Sequence, residues 1–326
     1  MLAPVTEVAY GENRLLELNL KSAARYPAFL RELSVASGMS VDFSAAGTLS
    51  VALDRDQLEA LRQLFEYQQS LGLQVKWLTS NECRSIEPAL SPSTRGGIWS
   101  RQDGAVDPRV VMAALEEALK QQGITIERES VAALSGGSPA VVEVEGQDPV
   151  AARQVVIAAG CWSREIPGVP GELRRSTRPV KGQILRLKPI ESGPSLIRNV
   201  VRTEEIYLVP RSDGQIVAGA TVEEKGFDTT ITAGGVFELL RASDEALPGI
   251  REMELSEASA GLRPGSLDNA PLLGFTSLPG VIAATGHYRN GVLLTPITSE
   301  CIARLLSDGR TPEELSGFSP LRFASQ

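Results

Sequence analysis

One histidine, three cysteines and an aromatic content of 5% leave this 326-residue chain short of the usual catalytic side chains. With His287 alone, neither a His-rich metal site nor an H-E-x-x-H protease is available. A Ser-His-Asp hydrolase would need that same histidine, and no G-x-S-x-G elbow exists to serve it. Cys83, Cys161 and Cys301 are odd in number and far apart, which describes neither a disulfide framework nor a zinc site. Lys and Arg number 32 against 40 Asp and Glu, a net charge of −8, and no basic tract is present to neutralise a phosphate backbone. Nucleic acid is therefore not expected as a partner. The longest apolar run, residues 155–162, is too short to span a bilayer. No charged and apolar leader is visible either, so no membrane partner is expected and the cytoplasm is the default location. What remains is a protein whose reactive centre comes from a cofactor or a partner.

The residues that are present describe a folded chain. Hydrophobic residues make up 42% and charged ones 22%, a globular composition, and the length suits one large domain or two intertwined ones. Apolar spacing predicts helices over residues 12–37 with Gly38 as a stop, 55–71 behind an Asp54/Gln57 capping pair, a short one capped by Thr79 and Glu82, and 108–122 behind Asp107-Pro108. Strands are expected at 47–53, 75–78, 124–129 and 140–145. Residues 155–160 form a small-apolar run ending in glycine, which suits a strand buried on both faces of a parallel sheet. Close-spaced strands at 180–188, 206–210 and 215–221 have an antiparallel character. A helix over 236–246, strands at 253–262 and 281–285 and a last helix to about residue 306 complete the expectation. The fold class is mixed α/β: a parallel layer interleaved with an antiparallel sheet layer.

Three segments are candidates for chemistry. Gly286-His-Tyr-Arg-Asn-Gly291 joins a strand to a helix and aims main-chain N–H groups at a negative group, although an ordinary connection has the same pattern. In Gly261-Leu-Arg-Pro-Gly265, Pro264 forces Arg263 into an extended backbone and fixes its direction. A guanidinium held so can grip a carboxylate through two parallel hydrogen bonds, or pair with a local acid on the surface. Tyr207 alternates with Ile206 and Leu208 and should point away from their face of the sheet. Gly160 stands where a sheet's carboxyl edge meets ligand in open α/β folds. Cys161 is expected to be a buried filler, and Trp99 and Trp162 to be core.

With Met1-Leu-Ala-Pro4, Asp103-Gly-Ala-Val-Asp107, Val156-Ile-Ala-Ala-Gly-Cys-Trp-Ser163, Arg178-Pro-Val-Lys-Gly-Gln183, Tyr207-Leu-Val-Pro-Arg211 and Gly219-Ala-Thr221 added to the two glycine-bounded segments, the chain resembles the glycine oxidase branch of the D-amino-acid oxidase family, flavoproteins tied to thiamine synthesis. The matches run in family order over essentially the whole length. The family opens with strand, G-x-G-x-x-G and helix cradling the FAD pyrophosphate, and no G-x-G-x-x-G occurs here, so the chain reads as a member lacking its first βαβ unit. The resemblance implies an incomplete Rossmann-like FAD-binding domain over 1–45, 100–165 and 255–326, and an antiparallel substrate-binding domain over 46–99 and 166–254. It implies that Arg263 binds a substrate carboxylate, that Tyr207 and Arg289 flank the amino acid, and that His287, Tyr288, Arg289, Asn290, Gly291, Val292 and Leu293 present main chain to the flavin. Met1 would lie against the flavin, Val131 would meet adenine, and Val222 would bear on substrate size. The implied reaction is FAD-dependent oxidative deamination of glycine or a small amine by dioxygen, in a homo-oligomer such as a tetramer. The alternative is an FAD-free, non-catalytic remnant of that family.

Overall fold

The computed structural model describes residues 1–190 and 195–324. In chain order the strands are β1 (Phe43–Ser44), β2 (Thr48–Ala52), β3 (Val75–Thr79), β4 (Gly96–Ser100), β5 (Ala105–Val106), β6 (Val131–Ser135), β7 (Ala140–Val144), β8 (Val150–Ala152), β9 (Val155–Ile157), β10 (Arg178–Pro189), β11 (Val200–Arg202), β12 (Tyr207–Pro210), β13 (Ile216–Gly219), β14 (Met253–Gly265), β15 (Leu272–Phe275) and β16 (Val281–Thr285). The helices are α1 (Asn13–Ser37), α2 (Arg55–Ser70), α3 (Ser80–Ile86), α4 (Pro108–Gln121), α5 (Gly171–Ser176), α6 (Ala233–Ala246) and α7 (Gly291–Asp308).

Helix ends fall where the capping chemistry puts them. Gly38 closes α1 at φ 70°, and its N–H donates to the Ser34 carbonyl. Asp54 accepts from the Gln57 N–H at 2.8 Å, while the Gln57 side chain reaches back to the Leu53 N–H at 2.9 Å. Thr79 and Glu82 form a reciprocal capping box on α3, and Asp107 caps the proline-led α4. Replacing Asp54 with alanine should cost about 1 kcal/mol, read as a lower midpoint in urea unfolding with an unchanged slope.

An eight-stranded sheet in the order β14-β10-β13-β12-β11-β2-β4-β3 dominates the molecule, antiparallel except where β11 runs parallel to β2. Leu185, Leu187, Leu208, Ile216 and Ala218 on one face pack with Leu239, Ala242 and Ala246 of α6. A second sheet, β15-β16-β9, pairs β16 with β9 in parallel and buries Leu273 and Ile282 against Leu294, Ile297 and Cys301 of α7 and Leu15 and Leu18 of α1. The mixed α/β expectation holds.

Three local expectations need correction. Residues 124–129 do not form a strand; Ile124 and Ile126 are exposed, and the edge strand starts at Val131 instead. Only residues 155–157 of the small-apolar run pair as a strand, because Gly160 turns at φ 56° into a short 3-10 segment. Trp162, on that segment, is 54% exposed and lies beside Phe227 rather than in the core.

Candidate functional site

The alternation along β12 sends Ile206 and Leu208 into the core and leaves Tyr207 on the opposite face, with Ile184, Val209 and Val217. Tyr207 stands directly across from Gly219, which in turn faces Ile184 of β10. A Cβ on Gly219 would meet the Tyr207 hydroxyl at 2.5 Å, so the ring lies flat over this glycine. Arg263 of β14 pairs with Val180, and its guanidinium lies over Gly182, two residues further along β10; a Cβ there would collide with Nη1. Two side-chain-free positions thus form a lane along which the guanidinium and the phenol approach each other on one sheet face. Burial raises the Tyr207 hydroxyl pKa and the Arg263 charge opposes that shift, so the phenol is neutral near pH 7.

Arg263 is held by main chain. Nη1 donates to the Thr221 carbonyl at 3.0 Å and to the Lys181 carbonyl at 3.4 Å. Among the described residues it forms no ion pair, so the surface pairing with a local acid is not realised, and the Nε and Nη2 edge has no protein acceptor. The segment supplying Thr221 is itself fastened. Lys181, fully buried, donates to the Thr230 carbonyl at 2.5 Å and sits 3.1 Å from Asp228 and 3.7 Å from Glu223. Gln183 binds Glu223 and Thr232 from the same strand. Hydrogen bonds from Thr230 and Lys181 push the Asp228 carboxyl down to about 2.

The turn after β16 approaches from the other layer. Tyr288–Asn290 make a 3-10 turn packed against β14, with Tyr288 at φ 48°. The 3-10 segment Gly160–Arg164 also packs against β14, and Thr285 donates to the Gly160 carbonyl at 2.9 Å, tying the two turns together. Helix α7 begins at Gly291 with no side-chain cap, while Tyr26 and Ser22 of α1 anchor its first turn through the Val292 and Leu293 carbonyls at 2.5 and 2.7 Å. Burial lowers His287 to about 4, so its imidazole is neutral near pH 7, and Nε2 lies 3.1 Å from the Thr298 hydroxyl.

The sequence-selected residues therefore fall into two groups. Arg263, Tyr207 and Met1 share one sheet face, with Met1 packed in the same cluster as Tyr207, and the turns bearing Gly160 and His287–Asn290 meet at β14. Arg289 stacks its guanidinium on Tyr288 and lines a 260 Å³ cavity with Thr6, Glu7 and Arg202, the residue that pairs with Tyr207 across β11 and β12. Val131 opens an exposed three-stranded sheet with β7 and β8. Val222 is exposed at a 560 Å³ cavity with Thr221 and Leu239. Cys161 is buried and its thiol is pushed up by that burial, as suits a filler. Gly182, Gly219 and Lys181 carried no role in the sequence reading. The signal for Gly182 was a glycine inside a strand pattern, whereas Lys181 stands among the other polar residues of β10, Arg178, Gln183, Arg186 and Lys188, and carried no signal of its own.

A flavin nucleotide fits part of this arrangement. The uncapped first turn of α7 offers main-chain N–H groups and a positive helix end. A Cβ built on Gly160 meets nothing within 4 Å, which leaves open space at the end of β9.

A family model described as FAD dependent oxidoreductase matches residues 2–305. The glycine oxidase of Geobacillus kaustophilus is 32% identical over 313 residues, covering 94% of this chain and 82% of that protein. Its crystal structure superposes with a TM-score of 0.89 at 30% identity, over 98% of this chain and 86% of that one. The bifunctional ThiO/ThiG protein of Synechocystis is 31% identical over 331 residues, and this chain spans about half of its length, 47%. The HcnC subunit of the hydrogen cyanide synthase of Pseudomonas aeruginosa is 30% identical over 94% of this chain.

Proposed function

The chain belongs to the FAD-dependent oxidoreductase family, and from that premise we propose that it oxidatively deaminates glycine or a similarly small amine bearing a carboxylate. The balance is glycine, dioxygen and water to glyoxylate, ammonia and hydrogen peroxide, and the imine formed before hydrolysis is what this reading hands to thiazole assembly in thiamine synthesis. The observation that carries the proposal is the Arg263 guanidinium, fixed by two carbonyls with its Nε–Nη2 edge free, facing Tyr207 across Gly182 and Gly219.

When bound, the flavin supplies the two-electron acceptor that dioxygen reoxidises. The protein's own contribution is positioning. The free guanidinium edge takes both oxygens of a carboxylate, and the protonated Tyr207 hydroxyl donates to the same group. The two glycines keep the stretch of sheet face under the guanidinium and the phenol free of side chains. His287 is neutral but engaged with Thr298, so this reading gives it no role as a base toward the substrate.

The test is direct. The purified chain, supplied with FAD, should show flavin absorbance and release peroxide on addition of glycine under air. Colourless protein that ignores FAD would identify a non-catalytic remnant. In the active protein, Tyr207→Phe should raise KM about 2- to 10-fold with little change in kcat, the cost of one hydrogen bond.

A further inference from the structure

We propose that Arg186 and Arg211 form a second anion site, one that takes the oxygens of a phosphate or carboxylate group and is distinct from the Arg263 clamp. Arg186 lies on the same sheet face, four residues beyond Gly182 on β10 and across from Val217 and Glu257. It is 8% exposed, yet its guanidinium donates no hydrogen bond to any described residue, and its Nε is buried without a partner. The nearest carboxylate, Glu257, stands 3.6 Å from Nε, but both Glu257 oxygens are already bound by the fork of Arg109.

Arg211, just beyond β12, repeats the pattern. Nη1 donates to the Val106 carbonyl at 2.7 Å, while Nε is buried and unsatisfied, 3.8 Å from an Asp107 that caps α4. The two guanidiniums share a cavity of 310 Å³. Asp42, Asp107 and Asp213 also line it, Asp213 engaged by Gln215, Asp42 by Ser40 and Asp107 by the Arg109 N–H that it caps. Burial lowers the Arg211 pKa; the Asp107 charge raises it, and the Arg186 charge lowers it in turn. Leaving buried donors unmade is costly, and an oxyanion between them satisfies donors and removes the repulsion together. The cluster of Ile184, Val209, Val217 and Ala105 fills the same face between this cavity and Tyr207, so the site does not depend on amine oxidation.

Thermal unfolding of the chain in inorganic phosphate or succinate, each against sodium chloride of equal ionic strength, tests this. At least one anion should raise the midpoint saturably, by about 5 °C, and the two arms tell a phosphate source from a carboxylate source. Arg186→Met and Arg211→Met should each weaken the response at least tenfold, Arg186→Lys should weaken it partially, and Arg263→Met should leave the phosphate response intact and remove only that part of the succinate response that belongs to the clamp. The lysine variant keeps the charge in place should the methionine variant fail to fold. The proposal is overturned if neither anion exceeds chloride, if the response retained in Arg263→Met survives both arginine substitutions, or if Arg263→Met alone removes the whole response.

Discussion

Replacing Arg263 with methionine is expected to lower kcat/KM for glycine by about a thousand-fold, with most of the loss in KM and flavin absorbance retained. Truncating one partner of a desolvated, hydrogen-bonded charge pair costs about 2–5 kcal/mol, and each 1.4 kcal/mol is tenfold. The guanidinium has no carboxylate of its own to lose, so its removal should spare the fold while leaving the substrate's charge unpaired. A second variant reaches the same result without touching the charge. Gly182→Val places atoms where Nη1 and Nη2 now lie and should push the guanidinium off its lane, raising KM strongly. Steady-state peroxide release at varied glycine reads both. A KM within twofold of the parent in Arg263→Met would remove the clamp from the account.

The second large effect is on stability. His287 is held neutral by burial, with a pKa lowered from 6.5 to about 4. A base whose folded pKa is depressed contributes stability that is fully present above pH 6.5 and is lost as pH falls through about 4. Between pH 7.5 and 4.5 the parent should therefore lose roughly 2–3 kcal/mol more than His287→Gln, whose amide still reaches Thr298 but does not titrate. Urea titrations of both proteins at the two pH values give the difference. Parallel losses would show that the imidazole is not desolvated by the turn.

Local chemistry made much of this legible. Asp54, Thr79 and Asp107 with their following glutamine, glutamate and proline mark helix starts, because a side-chain acceptor and an orphan N–H are neighbours in sequence. The long strands β10 and β14 announce themselves by length and composition. Short pieces that exist only through their partners, such as β1 with β5 or β11 with β2, carry no local signal. Residues 124–129 show the converse: apolar alternation without a neighbour to pair, and no strand. At the site, Arg263 and Tyr207 were readable from a proline and an alternation. The lane that brings them together was not, since Gly182 and Gly219 act by what they omit, on strands whose adjacency is decided by the sheet order. Arg289 was selected with them from the resemblance, and it stacks on Tyr288 at the cavity lined by Arg202, the cross-strand partner of Tyr207.

The glycine lane also sets a rule for anyone wishing to retune the protein. Positions 182 and 219 admit no larger residue without displacing the groups above them, so libraries that randomise them would mostly return inactive clones. Variation is better spent at Val222, whose side chain already faces open space beside the carbonyl that steadies Arg263 and where bulk can be added without repacking the sheet.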